Sequence, residues 1–205
     1  CQLARRRQDH GHPAQDARLD AAQKGRIDLS ATGIRAGETA LGTLTAKGQG
    51  DIRQQQLQLA LDGPQLKLDL GVDGQLDKGN WRGRLASGEI RAGGQDWRLQ
   101  APARLQRLAN GQIDFGTHCW ISGAASLCGD EQRLAPEPRI RYHLKQFPLG
   151  SLAQWLPKDF AWQGQLNADI NLDLPASGPK GTVQVDASGG TLRIREKGQW
   201  LDFPY

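Results

Sequence analysis

From Gly25 onward, apolar residues in this chain recur at every second position, and few folds can satisfy that spacing. Successive side chains of an extended strand point to opposite faces, so a period of two marks a strand with one buried face. Ile27 and Leu29 alternate with Arg26 and Asp28. Leu57, Leu59 and Leu61 alternate with Gln56, Gln58 and Ala60, and Leu66, Leu68, Leu70 and Val72 with Lys67, Asp69 and Gly71. The longest run is Leu166, Ala168, Ile170, Leu172 and Leu174, set against Asn167, Asp169, Asn171 and Asp173. Val183 with Val185, then Leu192 with Ile194, repeat the theme. Turn signals separate the runs: Asp62-Gly63-Pro64, Asp73-Gly74, Lys78-Gly79-Asn80, Gly93-Gly94, Asn110-Gly111, Ser177-Gly178-Pro179 and Gly189-Gly190. Spacings of roughly 8 to 15 residues between such signals are the rhythm of antiparallel hairpins.

One segment departs from this. Leu149, Leu152, Trp155 and Leu156 follow Pro148 at helical spacing and stop at Pro157, which predicts one short helix near 148–156. So short a helix is marginal alone and must dock on the sheet. Trp81-x-Gly83-x-Leu85 recurs as Trp162-x-Gly164-x-Leu166, and each opens a strand. Degenerate strand repeats of this kind suit a stacked, extended sheet. Residues 1–24 are read as a polar leader or a truncated continuation of the fold, and residues 25–205 as one extended sheet region. The chain starts at Cys1 rather than Met, and so reads as an excerpt.

Composition decides what covers the sheet. Only 38% of the 205 residues are hydrophobic and 6% aromatic, and one short helix is predicted. A sheet of ~14 strands would run on the order of 65 Å, and open sheets of that size curl or split. The expected fold class is therefore all-β, a long curled antiparallel sheet with an open groove. The alternative is a sandwich whose two apolar faces pack together. In the groove reading Leu57, Leu59, Leu66, Leu68, Leu70, Ile113, Leu166, Ile170, Leu172, Val183, Val185, Leu192 and Ile194 line the trough. Each buried methylene is worth ~0.8 kcal/mol, so a continuous greasy channel would carry an acyl chain at nearly constant free energy. That function needs no acid, base or nucleophile.

Other function classes find little support. A net charge of +4 permits an anionic partner without requiring one, and Arg5-Arg6-Arg7 sits alone in the leader, so no nucleic-acid binding is expected. The uncharged stretch between Asp114 and Asp130 is shorter than the ~20 residues of a membrane helix. There is no nucleophile elbow, phosphate loop or His-Glu-x-x-His, so neither enzyme activity nor a cofactor is expected. Asp169 and Asp173 are carboxylates on the polar side of an alternating strand, and His10 and His12 lie in the leader. Cys119 and Cys128 flank a turn at Gly123-Ala124-Ala125. They are open to three readings: a disulfide across a hairpin, two buried thiols, or a metal site with His118 and His143. The last lacks paired ligand spacing, and His118 and Cys119 would point to opposite faces of a strand.

The order Trp81-x-Gly83-x-Leu85, Trp97-x-Leu99, Pro102-Ala103-x-Leu105, Gly111-x-Ile113, Cys119 and Leu127-Cys128 resembles the TamB family, relatives of the AsmA-like bridge proteins. Phe147-Pro148-Leu149-x-x-Leu152 and Gly164-x-Leu166-x-Ala168 continue the resemblance, which runs from about Gly25 to Phe203. It implies a β-taco, a curled sheet with a hydrophobic interior crossing the periplasm of a Gram-negative bacterium. The parent protein would be anchored in the inner membrane and would meet a TamA-like outer-membrane barrel. The resemblance places the chain in the later part of such a protein and carries no catalytic residues. The two cysteines match the family's paired cysteines, which supports a disulfide. Implied functions are phospholipid transport between the membranes and, alternatively, assembly of outer-membrane β-barrel proteins and autotransporters by strand pairing. A plain β-repeat domain with a sealed core is the third reading.

Overall fold

The computed structural model describes residues 24–187 and 189–205. In chain order its strands are β1 (Gly25–Ala36), β2 (Thr39–Gly50), β3 (Gln55–Asp62), β4 (Leu66–Asp77), β5 (Asn80–Ala92) and β6 (Gln95–Leu99). There follow β7 (Ala103–Arg107), β8 (Ile113–Phe115), β9 (His118–Ser122), β10 (Ala125–Gly129), β11 (Gln132–Ala135) and β12 (Arg139–Pro148). After a 3₁₀ helix at Leu149–Trp155 come β13 (Phe160–Gln163), β14 (Gln165–Asp173), β15 (Lys180–Asp186), β16 (Thr191–Glu196) and β17 (Gln199–Pro204). The protein is all-β, and its described residues form a 14-stranded sheet and a 3-stranded one. The expected leader falls on residues outside the described ones, apart from Lys24, and so do Cys1, His10 and His12.

From β1 to β5 each strand pairs antiparallel with the next. Beyond β5, two short strands together occupy the place of one long strand. β6 and β7 both lie against β5, at Glu89–Ala92 and at Trp81–Leu85. β9 and β8 lie against β6 and β7, β10 and β11 against β9 and β8, and β12 against β10 and β11. β14 then pairs with β12, and β15 with β14. The large sheet is therefore one antiparallel meander in sequence order. Because half-strands share ladder positions, it is shorter than the ~65 Å that 14 full strands in series would span.

The interruptions align. They fall at the register shift between Gly71 and Val72, and in the gaps between Leu99 and Ala103, Phe115 and His118, and Gly129 and Gln132. Bulges and missing pairs bend a strand and raise its twist, so aligned faults put a crease across the sheet. The sheet also curls in the strand-stacking direction. Trp97 on β6 and Phe147 on β12 stack with centroids 6.3 Å apart, although three ladder steps separate their strands. In a flat sheet those steps would span ~14 Å.

The small sheet continues the large one past a glycine corner. β13 runs into β14 through Gly164, whose φ of +126° suits glycine, and β15 runs toward β16 through Gly189 and Gly190. A Cβ built on Gly164 would lie 2.8 Å from the Gly190 Cα, so the two chains cross in close contact. The predicted helix is a 3₁₀ helix of seven residues. It stops where Leu156 turns extended (ψ 153°), as a residue preceding proline prefers.

Candidate functional site: an apolar trough

Residues directly opposite in an antiparallel ladder point to the same side, so the registers define one face residue by residue. Leu57 faces Val72, Leu59 faces Leu70, and Leu61 faces Leu68. Leu66 and Leu68 face Ala92 and Ile90 on β5. Ile113 faces Arg107. Leu166, Ile170 and Leu172 face Phe147, Tyr142 and Ile140, and Val183 and Val185 face Ile170 and Ala168. Leu192 and Ile194 lie elsewhere, on β16 of the small sheet, where they face Trp162 and Phe160 on one side and Phe203 and Leu201 on the other.

The opposite face is charged and cross-linked. Arg84 meets Asp73 at 3.0 Å, Lys67 meets Asp62 at 2.7 Å and Arg141 meets Asp173 at 2.7 Å. Arg91 pairs with Asp96, and Arg104 with Glu131. His143 lies 2.6 Å from Asp169 and 3.4 Å from Asp130, and these carboxylates, Asp169 first, push its imidazole above the usual range. Asp169 and Asp173 thus pair with different cations. Cys119 and Cys128 stand opposite each other on this face, joined by a disulfide. Their sulfurs point away from His118, which faces the trough, so the four residues of the metal reading do not converge.

Burial varies along the trough. Near the crease the apolar face is sealed: Leu85 is 6% exposed, Ala103 and Ala125 are 1%, and Trp120 is 7%. Toward both ends of the sheet it is open, for Ile27, Leu29, Val183 and Val185 remain 58–65% exposed. No described element covers those flanks. The sandwich alternative is therefore not what forms: a single sheet hides its central strands by creasing and leaves its outer strands bare.

The helix closes one end. Leu149 is fully buried, and its N–H donates to the Gly164 carbonyl at 3.0 Å. Gln95 Nε2 donates to Ser151 Oγ at 2.6 Å and ties the helix to β6. Leu152 and Trp155 then face Leu41, Leu66 and Phe147 across a cavity of about 370 Å³. That lining joins β2 to β12, and its walls are almost wholly apolar.

The floor also holds a polar chain that sequence reasoning assigned no role there. His118, 5% exposed, has Nδ1 2.8 Å from the Gly116 carbonyl and Nε2 3.0 Å from the Tyr142 hydroxyl. The carbonyl can only accept, so Nδ1 carries the proton and the Tyr142 hydroxyl donates to Nε2. Gln132 Nε2 donates to the Arg141 carbonyl at 3.0 Å. Burial pushes the His118 pKa below its usual value and that of Tyr142 above. Phe115 packs on the His118 ring at 4.0 Å. A Cβ at Gly129 would lie 2.6 Å from His118 Cε1, so glycine there makes room for the ring. These groups sit where β8 gives way to β9 and β10 to β11, and they pin the crease.

The indole N–H groups of both repeat tryptophans are bonded within the protein. Trp81 Nε1 donates to Gln55 Oε1 at 2.8 Å, and Trp162 Nε1 to the Tyr205 hydroxyl at 2.6 Å. The Trp81 ring lies over the facing pair Gly74 and Gly83, where an added Cβ would come within 2.5 Å of it.

Most of the residues missed by sequence reasoning are on short strands, with Leu85 and Leu144 on the long strands β5 and β12 that flank them. Leu85, Trp97, Ala103, Trp120, Ala125 and Leu144 share the trough face. One signal was present: once the Cys119 and Cys128 sulfurs are placed together on one face, His118, Trp120 and Leu127 must occupy the other.

Residues 14–205 match the family model described as TamB, N-terminal domain. The later position expected from the order of residues is thus replaced by the family's N-terminal domain. No solved structure matches the chain. No helix among the described residues is long and apolar enough to cross a membrane, which leaves strand-built crossings unaddressed.

Proposed function

We propose, from the premise that this chain belongs to the TamB family, that its trough conducts phospholipid acyl chains between the inner and outer membranes. The observation that carries this reading is the contrast in burial along a single face. Leu85 and Ala103 seal the floor, whereas Ile27, Leu29, Val183 and Val185 stay bare on the flanks. Leaving large apolar side chains in water costs ~25 cal/mol per Å² of surface, a cost with no structural return within this chain. An acyl chain laid against them removes it. The path is apolar on one side and held shut by ion pairs on the other, so it supplies a greasy surface without a binding step that would trap the lipid. Membership of the family supports an envelope location for the protein. Periplasmic residence, an inner-membrane anchor and a TamA-like barrel as partner belong to the parent protein in this reading.

A second reading has its own observation. Among the described residues β1 pairs only with β2 and β15 only with β14, so within them both edges of the large sheet offer free backbone groups. A client strand could add there by backbone hydrogen bonding, which is the assembly role. Mass spectrometry of gently purified protein separates the two. Stoichiometric co-purified phospholipid, lost when Leu59 and Leu70 are both replaced by Asp, is the conduction result. Lipid-free protein whose activity in barrel assembly is abolished by proline in β15 would favour assembly and overturn conduction.

A further inference from the structure

From β3 to β15, among the described strand residues, the ladder registers place one charged side chain on the trough face: Arg107. Charged residues make up 23% of the chain, so their near-exclusion from this face is strong and the exception is informative. Arg107 stands opposite Trp81 on β5 and Ile113 on β8, at the end of β7 farthest from the helix. It is exposed and forms no ion pair with the described residues; on the outer face Arg84, Arg91, Arg104 and Arg141 are paired, and Arg82, Arg133 and Arg139 are not. Its neighbour across the ladder is fixed: the Gln55 hydrogen bond holds the Trp81 ring flat over Gly74 and Gly83. An indole and an unpaired guanidinium carried by facing residues, at the rim of an apolar floor, suit the boundary between hydrocarbon and headgroup.

We propose that Arg107 and Trp81 form a headgroup station, where the guanidinium takes the phosphodiester of a phospholipid while its acyl chain lies along Ile113 and Leu105. Guanidinium binds phosphate oxygens through two parallel N–H donors, so the ligand class is an anionic phosphodiester amphiphile. This rests on the proposed acyl-chain trough and adds to it a polar stop at one rim. Salt weakens the station, because Arg107 is exposed.

The test uses the whole 205-residue chain with two short-chain probes below their micelle concentrations: dihexanoyl phosphatidylglycerol and the uncharged dihexanoylglycerol. Binding is read by tryptophan fluorescence. The wild-type chain is expected to prefer the phosphate-bearing probe about tenfold, the effect of one charge-assisted contact. Arg107→Gln should abolish that preference and leave dihexanoylglycerol binding unchanged, and Arg107→Lys should restore part of it. Arg82→Gln, on the outer face, should change neither. Dihexanoylglycerol binding with no phosphate preference, or a preference that survives in Arg107→Gln, overturns the station alone. Failure of the wild-type chain to bind either probe overturns the trough reading and the station with it.

Discussion

Cys119 and Cys128 face each other across β9 and β10 with their Cα atoms 4.0 Å apart, joined on the charged side of the sheet. The bond closes a loop over a sequence separation of nine and fixes the register of the adjacent strands. That register places His118 and Trp120 in the trough. Closing so small a loop is worth about 2.5 kcal/mol in the chain-entropy account. Replacing both cysteines by Ala should lower unfolding free energy by about 2–3 kcal/mol in urea titrations. A change below about 0.5 kcal/mol would show that the polar chain at the crease holds the register unaided.

The sealed floor and the open flank should respond differently to truncation. Leu85, buried at the crease, should cost about 3 kcal/mol when changed to Ala, because it leaves a cavity. Leu57 is 37% exposed, and the same change there should cost about 1 kcal/mol or less. Equal losses in chemical unfolding would mean that the flank is covered in solution.

The two histidines of the middle strands act on stability with opposite sign. His118 has its pKa depressed by burial, so the unfolded chain binds a proton more readily than the folded one. Its contribution is complete above the ordinary histidine pKa of about 6.5 and is lost as pH falls below it. His143, raised chiefly by Asp169, contributes below about 6.5 and loses its contribution as pH rises through its elevated folded value. It is largely exposed, so its effect is the smaller. Urea midpoints should therefore fall between pH 7 and pH 5. His118→Gln should flatten that fall, and His143→Gln should steepen it. A fall unchanged in His118→Gln would place the acid sensitivity elsewhere.

Glycines on the trough face separate by what lies above them. A Cβ on Gly83 would come within 2.1 Å of the Asp73 carbonyl oxygen and crowd the Trp81 ring. Gly83→Ala should destabilise by more than about 2 kcal/mol and shift the tryptophan emission. On Gly48 the nearest atom would be Leu57 Cδ1 at 3.6 Å, an ordinary contact, so Gly48→Ala should be neutral or slightly stabilising. Similar losses at both sites, by thermal unfolding, would contradict the packing of Trp81.

Much of this architecture was legible where strands are long. β3, β4 and β14 carry alternation over eight residues or more, and that is enough to assign a face from spacing alone. Between Gln95 and Ala135 the strands are three to five residues long, too short to show a period. Most of the crease lies in that stretch, with His118 and with Ala103, Trp120 and Ala125 of the sealed floor. Leu192 and Ile194 also alternate as expected, but Gly164 and Gly190 turn their strand into a separate sheet, which periodicity does not encode. Arg107 was hidden for a further reason: an arginine at the end of a short strand looks like any solvated charge until the facing residues are known.

The central claim is that lipid lies against one face of the sheet and not the other. A photo-crosslinking residue placed at Ile170, which faces Tyr142 and Val183, and separately at its neighbour Asn171, reads the two faces of one strand. In membrane-derived lipid, position 170 should label phospholipid and position 171 should not. Equal labelling from the two positions would contradict the account.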